Sequence, residues 1–322
     1  MSKFRRAIEQ DLLKHGFEQF CPKAVLFDMD GVIYDSMPNH ARSWHQAMAS
    51  VGIQMEESEA YRYEGMRGVE TIKMKARQQW DKEISDEKAQ KIYDLKVAAF
   101  NLCPPAPKMD GTEVLMKLIR RDRLPICVVT GSGQPTLLDK LVIDFRGLIY
   151  RDHIISSSDV AQGKPAPDPY LMALERIGVN PWEAVVIENA PLGVQAAVAA
   201  QCFTIAVNTG PLPDEELINQ GADLLMPDMK TFSKQWRSFI RLFHLPKSHG
   251  SRWDDMYNQI MKYMEEKKRR PSKYYLEDRA MFNWIKYNKK RYARGLMAEK
   301  HIELFEKLLA TAKLYQHVNQ YE

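Results

Sequence analysis

Two hydrophobic rhythms divide this chain. Short unbroken apolar runs at 24–27, 125–129, 184–187 and 203–207 mark strands buried on both faces. Between them, apolar positions return every three to four residues. That spacing predicts helices over 3–19, 112–121, 136–145, 168–177, 192–200 and 215–220, with short strands at 153–157 and 223–225. From Gly111 onward strand and helix alternate. The expected fold class is therefore α/β, a doubly wound parallel sheet with its polar groups at the carboxyl ends of the strands.

Two segments depart from that alternation. Residues 36–103 are polar and helical, with helices expected over 41–51, 68–79 and 85–100, and they return through the proline-rich stretch Pro104-Pro105-Ala-Pro107. This reads as a helical cap inserted after the first strand. Beyond a linker expected at 247–250, helical spacing resumes over 253–267, 276–291 and 298–315. Trp253, Tyr257, Ile260 and Met264 recur on one helix; Phe282, Ile285, Ile302, Phe305, Leu308 and Leu309 recur on the others. A three-helix bundle of ~70 residues can just sustain its own core. The expected organisation is an N-terminal helix (1–20), a core (21–35 and 104–246), the cap (36–103) and a C-terminal helical module (250–322).

Composition narrows the class. At 322 residues and 45% hydrophobic content the chain supports a globular core. No apolar run approaches the ~20 residues that span a bilayer, so no membrane segment is expected. Residues 1–20 lack the apolar centre of a secretion signal, which points to the cytoplasm. Cys21, Cys103, Cys127 and Cys202 form no Cys-x-x-Cys pair and read as reduced, buried thiols. The net charge of +4 is uneven: residues 251–322 hold 16 Lys and Arg against 10 Asp and Glu, while the remainder is slightly acidic. The basic character belongs to the C-terminal module.

Chemistry gathers at the predicted strand ends. The first strand runs into Asp28-Met-Asp30-Gly31, where a glycine turn lets two carboxylates converge on one pocket. One carboxylate can attack phosphorus, and the other can move a proton. The second strand ends at Thr130-Gly131-Ser132-Gly133, whose hydroxyls and backbone N–H groups suit a phosphoryl oxygen, although a plain loop would read the same way. Lys164 stands between Gly163 and Pro165 at a helix entry, placed either to neutralise a phosphate charge or to face solvent. Glu188-Asn189 offers oxygen ligands for a hard cation, and equally a helix cap before Pro191.

Taken together, Asp28-x-Asp30-Gly-Val, Thr130-Gly-Ser, Gly-Lys164-Pro-Ala-Pro-Asp and Glu188-Asn189-Ala-Pro-Leu-Gly resemble the ordered motifs of the haloacid dehalogenase superfamily, over roughly residues 21–245. The β-phosphoglucomutase branch, with its helical cap, is the nearest in pattern. The resemblance implies that Asp28 forms an aspartyl-phosphate and that Asp30 acts as acid and base. It implies that Thr130 and Lys164 hold the phosphoryl oxygens and Asp28. It also implies that Mg²⁺ sits on Asp28, the Asp30 carbonyl, Glu188 and Asn189. His40, early in the cap, matches a histidine that such relatives keep near the acid/base aspartate; a packing role is the other reading.

Two departures shape the substrate expectation. The family usually has Asp where this chain has Asn189, a weaker Mg²⁺ ligand. The cap loop reads Tyr63-Glu64-Gly65-Met66-Arg67-Gly68, with Glu64 where mutase relatives carry a basic residue, and with the arginine displaced by one position. Glu64 would repel a sugar's distal phosphate but could reach the metal when the cap closes. The combination resembles the inorganic pyrophosphatase branch, with Tyr93 restricting the pocket. The expected function is a Mg²⁺-dependent phosphohydrolase acting on pyrophosphate or another small phosphorylated substrate. The alternatives are a sugar-phosphate mutase, or a nucleic-acid-associated protein using the basic C-terminal module.

That module, with Trp253, Arg270-Pro-Ser, Asn283-Trp284 and Gly295-x-Met, resembles the helicase-associated domain. Its runs Lys267-Lys-Arg-Arg270 and Lys289-Lys-Arg291 would suit phosphate contacts. A solvated charged face over a core of aromatics fits the same pattern.

Overall fold

The computed structural model describes residues 2–243, 245–246, 249–275 and 277–315, and it divides into two compact units, 1–246 and 247–322. In the first unit, α1 (Lys3–His15), β1 (Gln19–Phe20) and β2 (Ala24–Phe27) precede a helical insertion. The insertion holds α2 (Met37–Ser50), α3 (Glu57–Arg62), α4 (Gly68–Trp80) and α5 (Asp86–Asn101). There follow α6 (Thr112–Arg121), β3 (Ile126–Val129), α7 (Pro135–Asp144), β4 (Ile154–Ile155), α8 (Asp168–Ile177), β5 (Ala184–Glu188) and α9 (Pro191–Ala199). The unit closes with β6 (Phe203–Val207), α10 (Asp214–Ile218), β7 (Leu224–Met226), α11 (Met229–Ile240) and β8 (Leu245–Pro246).

Six strands form a parallel sheet in the order β4-β3-β2-β5-β6-β7, and β1 pairs antiparallel with β8. The chain runs outward from β2 through β3 to β4, then returns to place β5 on the other side of β2. The order reverses at β2, and α/β sheets hold their ligands at such a reversal. Side chains alternate across β2: Val25 and Phe27 enter one core with α1, α6 and α11, while Ala24 and Leu26 enter the other with α8 and α9. Both faces are covered, which is why these strands read as continuous apolar runs.

The cap has its own small core, built on Trp44, Met48, Ile53, Ile72, Ala76 and Ile92. In the second unit, α12 (His249–Lys267), α13 (Arg279–Ala293) and α14 (Glu299–Leu314) close around Trp253, Tyr257, Ile260, Met264, Met281, Phe305 and Leu308. The Trp253 indole lies parallel to the His301 ring at 4.0 Å and donates to Asn288 Oδ1 at 2.8 Å.

Several expectations are corrected. The first helix stops at His15, because Gly16 takes a left-handed conformation at φ 74°. Helices α3 and α11 appear where none is expected. The strand expected at 153–157 shrinks to two residues. Ile302 is 37% exposed and stays out of the bundle core. The linker expected over 247–250 is shorter, since α12 already includes 249 and 250, and 247–248 lie outside the described residues. The middle helix of that unit starts at Arg279, and Leu276 likewise lies outside them. None of the four cysteines is in a disulfide; Cys127 and Cys202 are buried, but Cys21 and Cys103 only partly so. Among the described residues no helix is long and apolar enough to cross a membrane.

Candidate active site

Asp28 follows β2 directly, and its backbone N–H donates to the Ile187 carbonyl of β5 at 3.0 Å. That register brings the ends of β2 and β5 side by side. Lys164, in the loop before α8, reaches under both. Its ammonium donates to Asp28 Oδ1 at 2.5 Å, to Glu188 Oε1 at 2.6 Å and to the Val129 carbonyl at 3.2 Å. The lysine is buried, and these partners hold it charged against the cost of burial, raising its pKa. Burial pushes the Asp28 carboxyl up to about 8, against the pull of Lys164.

Glu188 is held on both oxygens by the protein itself. Its Oε1 accepts from Lys164 and, at 2.7 Å, from the Tyr170 hydroxyl. Its Oε2 accepts from the backbone N–H groups of Asn189 and Ala190 at 3.0 and 3.3 Å. Four hydrogen bonds saturate a carboxylate. Gly193 closes over it so tightly that a Cβ there would fall 1.9 Å from Oε1. Glu188 fixes Lys164 rather than facing the pocket.

Thr130 follows β3 directly and is buried, with its Oγ1 accepting from the Ser132 N–H at 3.0 Å. The hydroxyl proton therefore remains available for a substrate oxygen. Gly131 and Ser132 line a cavity of about 40 Å³ together with Asp30, His40, Glu64, Tyr93 and Lys96.

Asp30 is the head of a polar chain. Its Oδ1 accepts from Ser36 Oγ at 2.6 Å and from His40 Nε2 at 3.2 Å, and Lys96 Nζ donates to His40 Nδ1 at 2.9 Å. The lysine on one ring nitrogen fixes the tautomer with its proton on the other, so His40 is neutral and donates to Asp30. Burial, then the Lys96 charge, lowers the His40 pKa. Burial also pushes Asp30 up, but His40 and Ser36 outweigh it and hold Asp30 low. Sequence reasoning missed Lys96 and Ser36. Lys96 lies 56 residues beyond His40 and meets it because α5 packs along α2.

The cap loop sits directly on the core. Gly65, at φ 86°, lies against the Lys164 side chain, and a Cβ on it would fall 2.7 Å from Lys164 Cδ. Arg67 Nη2 donates to the carbonyls of Ser157 and Val160 at 3.2 and 2.5 Å. That arginine ties the cap to the core instead of waiting for a second phosphate. Glu64 is half-buried in the cavity; burial, and then the charges of Asp30 and Asp28, push its pKa well up. Tyr93 packs against Gly68, where a Cβ would fall 2.1 Å from the ring.

Two buried oxygens have no hydrogen-bond partner here, Asp28 Oδ2 and Asn189 Oδ1. Gly31, at φ 86°, makes room for the Asn189 amide, since a Cβ would fall 2.0 Å from Nδ2. Unpartnered buried oxygens are rare. Both are oxygen donors of the kind a hard divalent cation such as Mg²⁺ takes. Among the described residues no cluster of three His, Cys, Asp or Glu side chains is closely enough gathered to enclose a metal.

Residues 22–201 match the haloacid dehalogenase-like hydrolase family. Hexitol phosphatase A of Escherichia coli K12 is 29% identical over 188 residues, 58% of this chain and 83% of its own. The β-phosphoglucomutase of Bacillus subtilis is 26% identical over 234 residues, 67% of this chain and 96% of its own. A solved structure from Bacteroides vulgatus, provisionally named a β-phosphoglucomutase, is 47% identical with a TM-score of 0.73, over 75% of this chain and 98% of its own.

Proposed function

Because the chain belongs to the haloacid dehalogenase-like hydrolases, we propose that it is a Mg²⁺-dependent phosphohydrolase working through an aspartyl-phosphate on Asp28, with inorganic pyrophosphate as its preferred substrate. The observation that carries this reading is Glu64, a cap carboxylate lining the same small cavity as Asp30. Ionised beside a bound cation, a carboxylate there would repel the distal phosphate of a sugar bisphosphate, and Arg67 is occupied by core carbonyls.

Asp28 attacks phosphorus, and the bridging P–O bond breaks. Asp30 Oδ1 is taken by Ser36 and His40, so Oδ2 handles the proton. A phosphate leaving group needs less protonation than a sugar hydroxyl, which suits an acid held low. Asp30 Oδ2 then takes a proton from the hydrolytic water, and its attack frees Asp28. Lys164 and the Thr130 hydroxyl bind the transferring oxygens, where positioning and neutralised charge do most of the catalysis. Mg²⁺, held by Asp28, the Asp30 carbonyl, Asn189 and Glu64, would supply charge neutralisation on the phosphates. The cap loop, seated by Gly65 and Arg67, excludes bulk water.

The test is Mg²⁺-dependent phosphate release from pyrophosphate, abolished by EDTA and by Asp28→Asn. Phosphate release from no small phosphate compound, or full activity in Asp28→Asn, overturns the reading.

A further inference from the structure

The second unit carries a groove that the hydrolase chemistry does not use. Its floor is apolar: Pro271, Phe282, Ile285 and Ala312. Its rim is cationic: Arg270, Lys273, Lys286, Lys289 and Lys290. The volume is about 600 Å³, within the range of ligand-binding clefts. Phe282, Ile285, Lys286 and Lys289 fall at i, i+3, i+4 and i+7 on α13, so one helix face supplies both floor and rim.

The charges of this unit are sorted. Asp278, fully buried, pairs with Arg269 and also accepts from the Ser272 N–H at 3.0 Å. Lys262 pairs with Glu266, and His301 with Asp254. Within the run 267–270, Arg269 is thus structural while its neighbour Arg270 faces the groove. None of the five rim cations has a carboxylate partner among the described residues. Beside them Tyr274 is 83% exposed, with the Lys273 ammonium 5.0 Å from its ring centroid.

We propose that this groove binds single-stranded nucleic acid, with backbone phosphates on the cationic rim and unpaired bases on the apolar floor and Tyr274. A duplex keeps its bases stacked inside and would leave the floor unfilled. An anionic membrane is a poor match, because the apolar residues lie below the charges instead of projecting into lipid. Aromatic platforms beside tracked phosphates are how single strands are held without sequence preference.

The test uses the full chain and a fluorescein-labelled oligothymidine, read by anisotropy from 50 to 200 mM KCl. Five phosphate contacts give a log–log salt slope of about −3.5, which is roughly a hundredfold loss of affinity over that range. Lys286→Gln/Lys289→Gln/Lys290→Gln brings the slope to about −1.4. Tyr274→Ala weakens binding about fivefold or more at unchanged slope. Lys262→Gln/Lys267→Gln/Lys268→Gln removes as much charge outside the groove and keeps the slope. Circular dichroism confirms that each variant is folded, and Tyr274→Ala, at an exposed site, carries the test if the triple variant is not. Absence of salt-dependent binding overturns the proposal. So does an equal loss of slope in both triple variants, or a preference for a matched duplex or phosphatidylserine vesicles.

Discussion

Replacing Gly65 by Ala should disable the enzyme without unfolding it. Gly65 holds φ 86°, a conformation that costs an L-residue about 1–2 kcal/mol. The new methyl would also stand 2.7 Å from Lys164 Cδ and 3.2 Å from Lys164 Cβ. Lys164 cannot step aside, because its ammonium is held by Asp28, Glu188 and the Val129 carbonyl. Overpacking of this kind costs about 1–3 kcal/mol. Together the two effects reach about 2–5 kcal/mol, set against the seated cap. At 1.36 kcal/mol per tenfold, kcat/KM should fall about 30-fold to several-thousand-fold. The apolar residues that hold the cap together do not include Gly65, so the melting temperature should move by only a few degrees. Gly52 supplies the control: it has φ 77° in the same cap, with nothing within 4 Å of its Cβ position. Gly52→Ala should carry the backbone strain and leave kcat/KM unchanged. A Gly65→Ala enzyme within about threefold of wild type would refute the seating of the loop on Lys164.

Lys96→Met should raise the His40 pKa, since the lysine charge beside Nδ1 now holds it down, and should lower kcat. Imidazole NMR reads this directly, and an unmoved His40 titration would mean the lysine does not set its protonation. Far from the site, burial pushes Asp11 up to about 7 from 3.8, beside His15 and with Lys14 and Asp223 close by. A raised carboxyl pKa contributes stability that is complete below about pH 4 and lost as pH rises through 7, here at most about 4 kcal/mol. Asp11→Asn should therefore raise the melting temperature at pH 8 by several degrees and by progressively less toward pH 5. A pH-independent difference would count against that burial.

The parts of the site legible in the sequence are those that depend on local order. An apolar run ending in Asp28-x-Asp30-Gly is visible because a parallel strand buried on both faces must be apolar throughout and polar where it stops. The bounds of α8 agree with its periodicity because Pro167 and Gly178 punctuate it. What stayed hidden depends on packing between distant segments. The hydrogen bonds of Tyr170 and Lys164 to Glu188 cross 18 and 24 residues of sequence. Nothing local shows that Arg67 will bind the Ser157 and Val160 carbonyls, some 90 residues away. The α11 face of Phe232, Trp236 and Phe239 does repeat at helical spacing, and that signal could have found the helix. Strands β1 and β8 have only two residues each and exist because α11 returns the chain to Phe20.

Under the proposed function, the cap carboxylate Glu64 selects a compact, metal-binding leaving group. The most direct measurement is the ratio of kcat/KM for pyrophosphate to that for hexose phosphates, in one Mg²⁺ buffer, for the wild type and Glu64→Gln. The wild type should prefer pyrophosphate strongly, and Glu64→Gln should collapse that preference. A wild-type preference for hexose phosphates, or a ratio that Glu64→Gln leaves intact, would contradict it.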